Sequence, residues 1–177
     1  RGVVTAVSYE AKALGVKRGM TGNEAKRVCP RLLLVASDYR AYQMFSNKMM
    51  RIIGQFSPAI ERYSIDEAFA DITNLDSVYN TPYDQLGQRI KHAIEQSLGI
   101  TVSVGIARTK TLAKIASNAH KPSGLVYIHE ANRIQHLMST PIQDIWGIGH
   151  RLTNRMHMYD IETAYDFVQK PEIFIRS

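Results

Sequence analysis

The stretch Ile100-Thr-Val-Ser-Val-Gly-Ile-Ala107, followed closely by Thr109-Lys-Thr-Leu-Ala-Lys-Ile-Ala-Ser-Asn-Ala-His-Lys-Pro122, narrows the possible folds more than any other feature of the chain. Ile100, Val102, Val104 and Ile106 alternate with small residues. One face of a strand is therefore packed hard and the other is open to close approach, which predicts a central position in a sheet. Ala113, Ala116, Ser117 and Ala119 leave the following helix thin on one side, a shape that can settle closely onto a sheet. Pro122 sets the end of that helix, and Leu125 to Ile128 reads as another strand.

The upstream elements fit the same frame. Gly2 to Val7 reads as an opening strand, and Thr21 with Glu24 has the capping-box spacing, predicting a short helix that stops at Pro30. From Asp38, the apolar positions Tyr42, Phe45, Met49, Ile52, Ile53 and Phe56 recur at helical spacing, with Arg40, Lys48 and Arg51 outward. Ala59–Tyr63 and Ala68–Thr73 read as two strands joined by a four-residue bend. Thr81 and Pro82 begin a helix with Leu86, Ile90, Ala93, Ile94 and Leu98 on one stripe, ended at Gly99. This order predicts an α+β fold, a sheet with helices packed on one side. Beyond Glu130 the strand character disappears and short helices separated by Gly-Ile-Gly take over, which puts a domain boundary near residue 129.

Composition limits the functional classes. With 177 residues, 45% of them hydrophobic, the chain can bury a real core. It opens on Arg1, directly in strand-like sequence, and so reads as a piece of a longer protein. No stretch approaches the roughly 20 apolar residues that span a bilayer, which predicts a soluble, cytoplasmic protein. The single cysteine, Cys29, agrees with a reducing compartment. The net charge of +6 is segregated: residues 1–58 carry ten bases against three acids, whereas residues 59–98 carry seven acids against three bases. An acidic segment between basic ones suits a site that holds divalent cations while neighbouring surfaces hold a polyanion. A solvated surface produces the same totals.

The acids concentrate in Tyr63-Ser-Ile-Asp-Glu-Ala-Phe-Ala-Asp71. In an unbroken strand Asp66 and Glu67 would point to opposite faces, but a bend lets both turn to a common point. Mg²⁺ prefers such oxygen ligands, usually one or two carboxylates completed by substrate phosphates and water. A solvated turn would use the same residue types. Lys110 and Lys114 on the small-residue helix are candidate contacts to a DNA backbone, and solvated lysines are the alternative. Gly147 and Gly149 flank Ile148 before a helix. That is the form of a helix-hairpin-helix turn offering backbone N–H groups to a phosphate, although a plain tight turn also needs such glycines. His150 and Arg151 follow it.

Four segments, Ala6-Val-Ser-Tyr-Glu-Ala-Lys-Ala-Leu-Gly-Val-Lys-Arg-Gly-Met20, Tyr63–Asp71, Gly105–Gly124 and Trp146-Gly-Ile-Gly-His-Arg-Leu152, together resemble the Y-family translesion DNA polymerases, nearest the UmuC/ImpB/MucB/SamB branch. The resemblance implies fingers over residues 1–37, a palm over 38–128 and the start of a helix-hairpin-helix thumb over 129–177. It implies that Asp66 and Glu67 are catalytic ligands of two Mg²⁺ ions; Asp71, which the family also tends to carry, is read here as structural. It also implies that Tyr9, Lys12 and Lys121 contact the nucleoside triphosphate, and that Gly147 and Gly149 belong to the duplex-gripping thumb. Lys12 stands where the family usually has arginine, so a point charge replaces a planar fork. The expected partners are primer-template DNA and deoxynucleoside triphosphates, with a processivity clamp and accessory SOS subunits reached through regions outside this chain. The family's third carboxylate and its steric gate lie upstream of Arg1, so the chain alone is expected not to polymerise. Two other classes share these residues: a non-catalytic DNA-binding paralogue that keeps the fold, and a metal nuclease using the same acids.

Overall fold

The computed structural model describes residues 2–175. Arg1, Arg176 and Ser177, which the fingers and thumb expectations include, lie outside the described residues. The chain divides into two compact units, one ending at Arg40 and the other beginning at Ala41.

The first unit holds two short helices, α1 (Tyr9–Ala13) and α2 (Gly22–Val28). Ser8 caps α1 by accepting the Ala11 N–H, and Thr21 and Glu24 form the expected capping box, with Glu24 Oε2 taking the Thr21 N–H at 2.7 Å. Ala11, Val16 and Ala25 are the buried centre. The expected opening strand is reduced to a bridge between Val3 and Thr21 with bonds from Val4 N–H to Met20 O and from Gly19 N–H to Val4 O. Its partner segment turns at Gly19, where φ is +84°, so the ladder cannot extend.

Helix α3 (Tyr39–Ile53), all but its first two residues in the second unit, buries Ser46, Met49, Met50 and Ile53. The buried stripe is shorter than the periodicity implies, because Tyr42 is exposed and Phe56 lies past the helix end. Strands β1 (Ile60–Arg62) and β2 (Ala68–Ala70) pair antiparallel, with Glu61 opposite Phe69. A short α4 (Leu75–Tyr79), not anticipated from sequence, precedes α5 (Tyr83–Leu98). Leu86, Ile90 and Ile94 of α5 meet Met49, Met50 and Ile53 of α3, and Ile60, Ala68 and Ala70 pack on that cluster. Burying such side chains is worth about 1.5–3 kcal/mol each.

Strands β3 (Val104–Ile106) and β4 (Leu125–Tyr127) form a separate parallel pair. Helix α6 (Lys110–Ala119) comes down on Gly105: a Cβ there would stand 2.0 Å from the Ala113 carbonyl oxygen and 2.3 Å from the Ser117 nitrogen. On the opposite face Ile106 and Leu125 reach Gly87 of α5. Each face of this short ladder therefore carries a helix. Among the described residues β3 pairs only with β4, rather than standing centrally in one sheet, and the two hairpin strands form their own sheet. The strand is also shorter than Ile100–Ala107, because the Val102 N–H is taken at 3.1 Å by Glu95 Oε1 instead of by a neighbouring strand.

Beyond β4 come α7 (Arg133–Ser139), a 3-10 turn at Ile142–Asp144, α8 (His150–His157), α9 (Ala164–Val168) and α10 (Glu172–Ile175). Ile142, Ile161 and Ala164 are sealed from solvent, and the Ile142 N–H donates to Glu162 O. Among the described residues no helix is long and apolar enough to cross a membrane.

Candidate active site

The bend between β1 and β2 is a closed hairpin turn. The N–H groups of Tyr63 and Ser64 both donate to Glu67 O, at 3.0 and 3.1 Å. The Ser64 hydroxyl donates to Asp66 Oδ1 at 2.8 Å. Asp66 and Glu67 thus stand at a tight turn, free of the strand alternation that would separate them. Asp66 is exposed and Glu67 half-buried. They are not equivalent, because Glu67 Oε2 also receives the Lys114 ammonium at 2.7 Å. Asp71 instead closes the turn after β2: Oδ1 accepts the Thr73 hydroxyl at 2.6 Å and its N–H at 2.9 Å, and these bonds hold its carboxyl below the ordinary carboxylate range.

Helix α6 faces this hairpin with two lysines one turn apart. Lys110 is ion-paired with Glu61 of β1 and lies over the Phe69 ring, 5.7 Å from its centroid. Lys114 lies 4.9 Å from the Tyr63 ring centroid and 5.8 Å from that of Trp146. The Trp146 indole N–H donates to the Tyr63 hydroxyl at 2.8 Å, so the rings around the ammonium are fixed to each other. Both lysines, expected to face a phosphate backbone, have carboxylate partners within the chain.

Lys121 lies in the turn between α6 and β4, and a part-buried network holds the turn two residues on. Ser123, at φ +58°, accepts from Lys91 Nζ at 2.7 Å and donates to Glu95 Oε1 at 2.9 Å. Lys91 also donates to both Glu95 oxygens, at 2.9 and 2.8 Å. The Lys91 hydrogen bonds, helped by the Val102 N–H, hold the Glu95 carboxyl down from 4.5 to about 2. Gly124 completes the turn where a Cβ would stand 2.1 Å from the His120 carbonyl oxygen. Lys121 itself is exposed.

Tyr9 and Lys12 stand three residues apart on α1, both exposed, which is the spacing that puts two side chains on one helix face. Gly147, at φ +94°, and Gly149, the N-cap of α8, are both exposed, and a Cβ on either would meet nothing within 4 Å. Their backbone is open to an approaching group. His150 and Arg151 begin α8 on the exposed surface.

The donor set suits a hard divalent cation completed by substrate. Among the described residues no three His, Cys, Asp or Glu side chains are grouped to cage an ion. Two carboxylates at one turn fit the way Mg²⁺ is held, with water and phosphate oxygens supplying the remaining ligands.

The sequence profile of the impB/mucB/samB family matches residues 1–118. The chain belongs to that family. It is 40% identical over 162 residues to DNA polymerase IV 2 of Mesorhizobium japonicum, covering 92% of this chain and 39% of that protein. It is 36% identical over 174 residues to DNA polymerase IV of Treponema denticola, covering 98% and 42%. Among solved structures, an insertion ternary complex of Dbh DNA polymerase superposes with a TM-score of 0.84 at 33% identity, covering 96% of this chain and 49% of that one. DinB from Sulfolobus solfataricus gives 0.83 at 34% identity, covering 96% and 50%. The chain thus spans about two-fifths of the curated relatives' length and about half of the solved chains. This family membership establishes the polymerase palm-and-fingers type of mixed helix and small-sheet fold.

Several members of this candidate site were not visible in sequence. Trp146 is far in the chain from Tyr63 and Phe69, yet the three ring centroids lie 5.0 to 6.0 Å apart. Lys91 and Glu95 carried a detectable signal, the i,i+4 spacing of opposite charges on a helix, but nothing local marks Ser123 as their partner.

Proposed function

We propose that the chain comprises the fingers (residues 1–37), palm (38–128) and beginning of the thumb (129–177) of a cytoplasmic translesion DNA polymerase that joins deoxynucleoside triphosphates to a primer by template-directed, two-metal nucleotidyl transfer. The observation that carries the reading is the hairpin turn that puts the adjacent carboxylates Asp66 and Glu67 at one exposed edge, in a chain of this family. Mg²⁺ bound there would neutralise triphosphate charge and align the attacking and leaving oxygens. Asp66 and Glu67 hold the ions; Ser64 orients Asp66 through its hydroxyl. Tyr9, Lys12 and Lys121 supply hydrogen bonds and positive charge to the phosphates, with Lys12 acting as a point charge. The exposed backbone at Gly147 and Gly149 takes a duplex phosphate without reading bases. Clamp and accessory-subunit binding belong to other parts of the full-length protein.

Primer extension tests the assignment. In the full-length protein carrying this segment, Asp66→Asn or Glu67→Gln lowers extension by about a hundredfold or more, the loss of several kcal/mol of charge stabilisation, with the fold retained. Unchanged extension would refute the metal-ligand roles. The isolated 177-residue chain, which supplies two carboxylates where the resemblance implies three, gives no extension with Mg²⁺.

A further inference from the structure

We infer that Lys114 competes with a divalent cation for Glu67, keeping the ion site weak until phosphate oxygens join it. The inference rests on the metal-ligand reading of Glu67 and adds a residue that reading does not use. Lys114 Nζ sits 2.7 Å from Glu67 Oε2, closer to that oxygen than any ring it touches. Its position is built rather than incidental. Lys114 lies on the turn of α6 after Lys110, whose own pairing with Glu61 ties the same helix to the same hairpin. The Tyr63 and Trp146 faces stabilise the ammonium, and the indole N–H bond to the Tyr63 hydroxyl holds both rings in place.

The electrostatic consequence has a definite sign. A cation approaching Glu67 meets a carboxylate whose charge is already compensated by an ammonium in contact with it. Like charges that share one carboxylate disfavour each other, and at partly buried sites that repulsion is only partly screened. Two carboxylates plus Lys114 therefore hold an ion less tightly than two carboxylates alone. Occupancy then depends on the additional oxygens of a triphosphate, which links metal loading to nucleotide arrival.

The test is Mn²⁺ binding to the full-length protein without nucleotide or DNA, followed by the electron paramagnetic resonance signal of the free ion. Lys114→Met tightens Mn²⁺ binding about fivefold, the scale of a partly screened unit charge. Lys114→Arg leaves it near wild type, because the charge stays, and Glu67→Gln weakens it. The double variant Lys114→Met with Glu67→Gln shows no tightening relative to Glu67→Gln alone. If Lys114→Met melts at a much lower temperature than wild type, Lys114→Gln carries the same expectation. Unchanged or weaker binding in the charge-neutral variant, with Glu67→Gln still weakening, overturns the competition and leaves the metal-ligand reading standing. Unchanged binding in Glu67→Gln overturns both.

Discussion

Among the described residues three lysine–glutamate pairs lie in the second unit, and the difference between the two more buried ones separates what holds the fold from what is left for chemistry. Lys91 and Glu95 have side chains 10% and 23% exposed, and each also bonds Ser123. Lys114 and Glu67 are 20% and 40% exposed, so the second pair is the more open to solvent. The first pair ties the end of α5, the approach to β3 and the turn after α6 through Glu95, Val102 and Ser123. A hydrogen-bonded pair of this kind is costly to break, because the buried Lys91 and the part-buried Glu95 would each lose the partner that compensates its charge. The second pair is open enough for one partner to be exchanged. The same two residue types thus act as a rivet in one place and a replaceable contact in another.

The largest expected effect is on the rivet. Lys91→Met leaves Glu95 with its charge and without its main partner, and should cost about 3–5 kcal/mol in chemical denaturation. It should also disturb the turn carrying Lys121, raising the KM for nucleotide more than it lowers kcat in the full-length protein. A loss below about 1 kcal/mol would erase the contrast between the two pairs. Gly105→Ala comes next: its Cβ would overlap α6 backbone atoms at 2.0 and 2.3 Å, and backbone cannot swing aside as a side-chain tip can. About 2–3 kcal/mol is expected by thermal melting, the upper range for overpacking. A neutral outcome would mean that α6 slides freely on β3.

Legibility followed the same division. The small residues of β3 and α6 announced close packing, and Gly105 meets Ala113, Ala116 and Ser117 as that pattern demanded. The capping box at Thr21 and the helix end at Gly99 were equally plain, because each is a local rule acting over a few residues. The hairpin bend at Ser64–Glu67 was readable for the same reason. What sequence did not show were contacts spanning many residues: Trp146 to Tyr63, 83 positions apart, and Lys114 to Glu67, 47 apart. Strand length also escaped it. Val102 has a strand-former's side chain, but its N–H is spent on Glu95, a competition that no period-two pattern records.

A third prediction uses pH to separate the pairs. The folded carboxyl of Glu95 is held at about 2 against an ordinary 4.5, so its stabilising contribution is complete above pH 4.5 and is lost as pH falls toward 2. Denaturation midpoints of wild type should therefore drop across that window, and Glu95→Gln should flatten part of the slope. An identical slope in the variant would place the acid lability elsewhere.

The smallest effect is expected at the outermost pair. Lys110 and Glu61 have side chains 51% and 53% exposed, so water and salt screen their attraction and two long side chains lose freedom to make it. Lys110→Ala should cost only about 0.2–1 kcal/mol, part of it from the lost contact with the Phe69 ring, and the cost should shrink as salt is raised. Measured beside Lys91→Met, it fixes the low end of a scale ordered by burial. A loss at Lys110 as large as that at Lys91, or one insensitive to salt, would mean that the hairpin is riveted to α6 as firmly as the Lys121 turn is to α5. Glu67 would then be too rigidly committed to exchange its lysine for a metal ion.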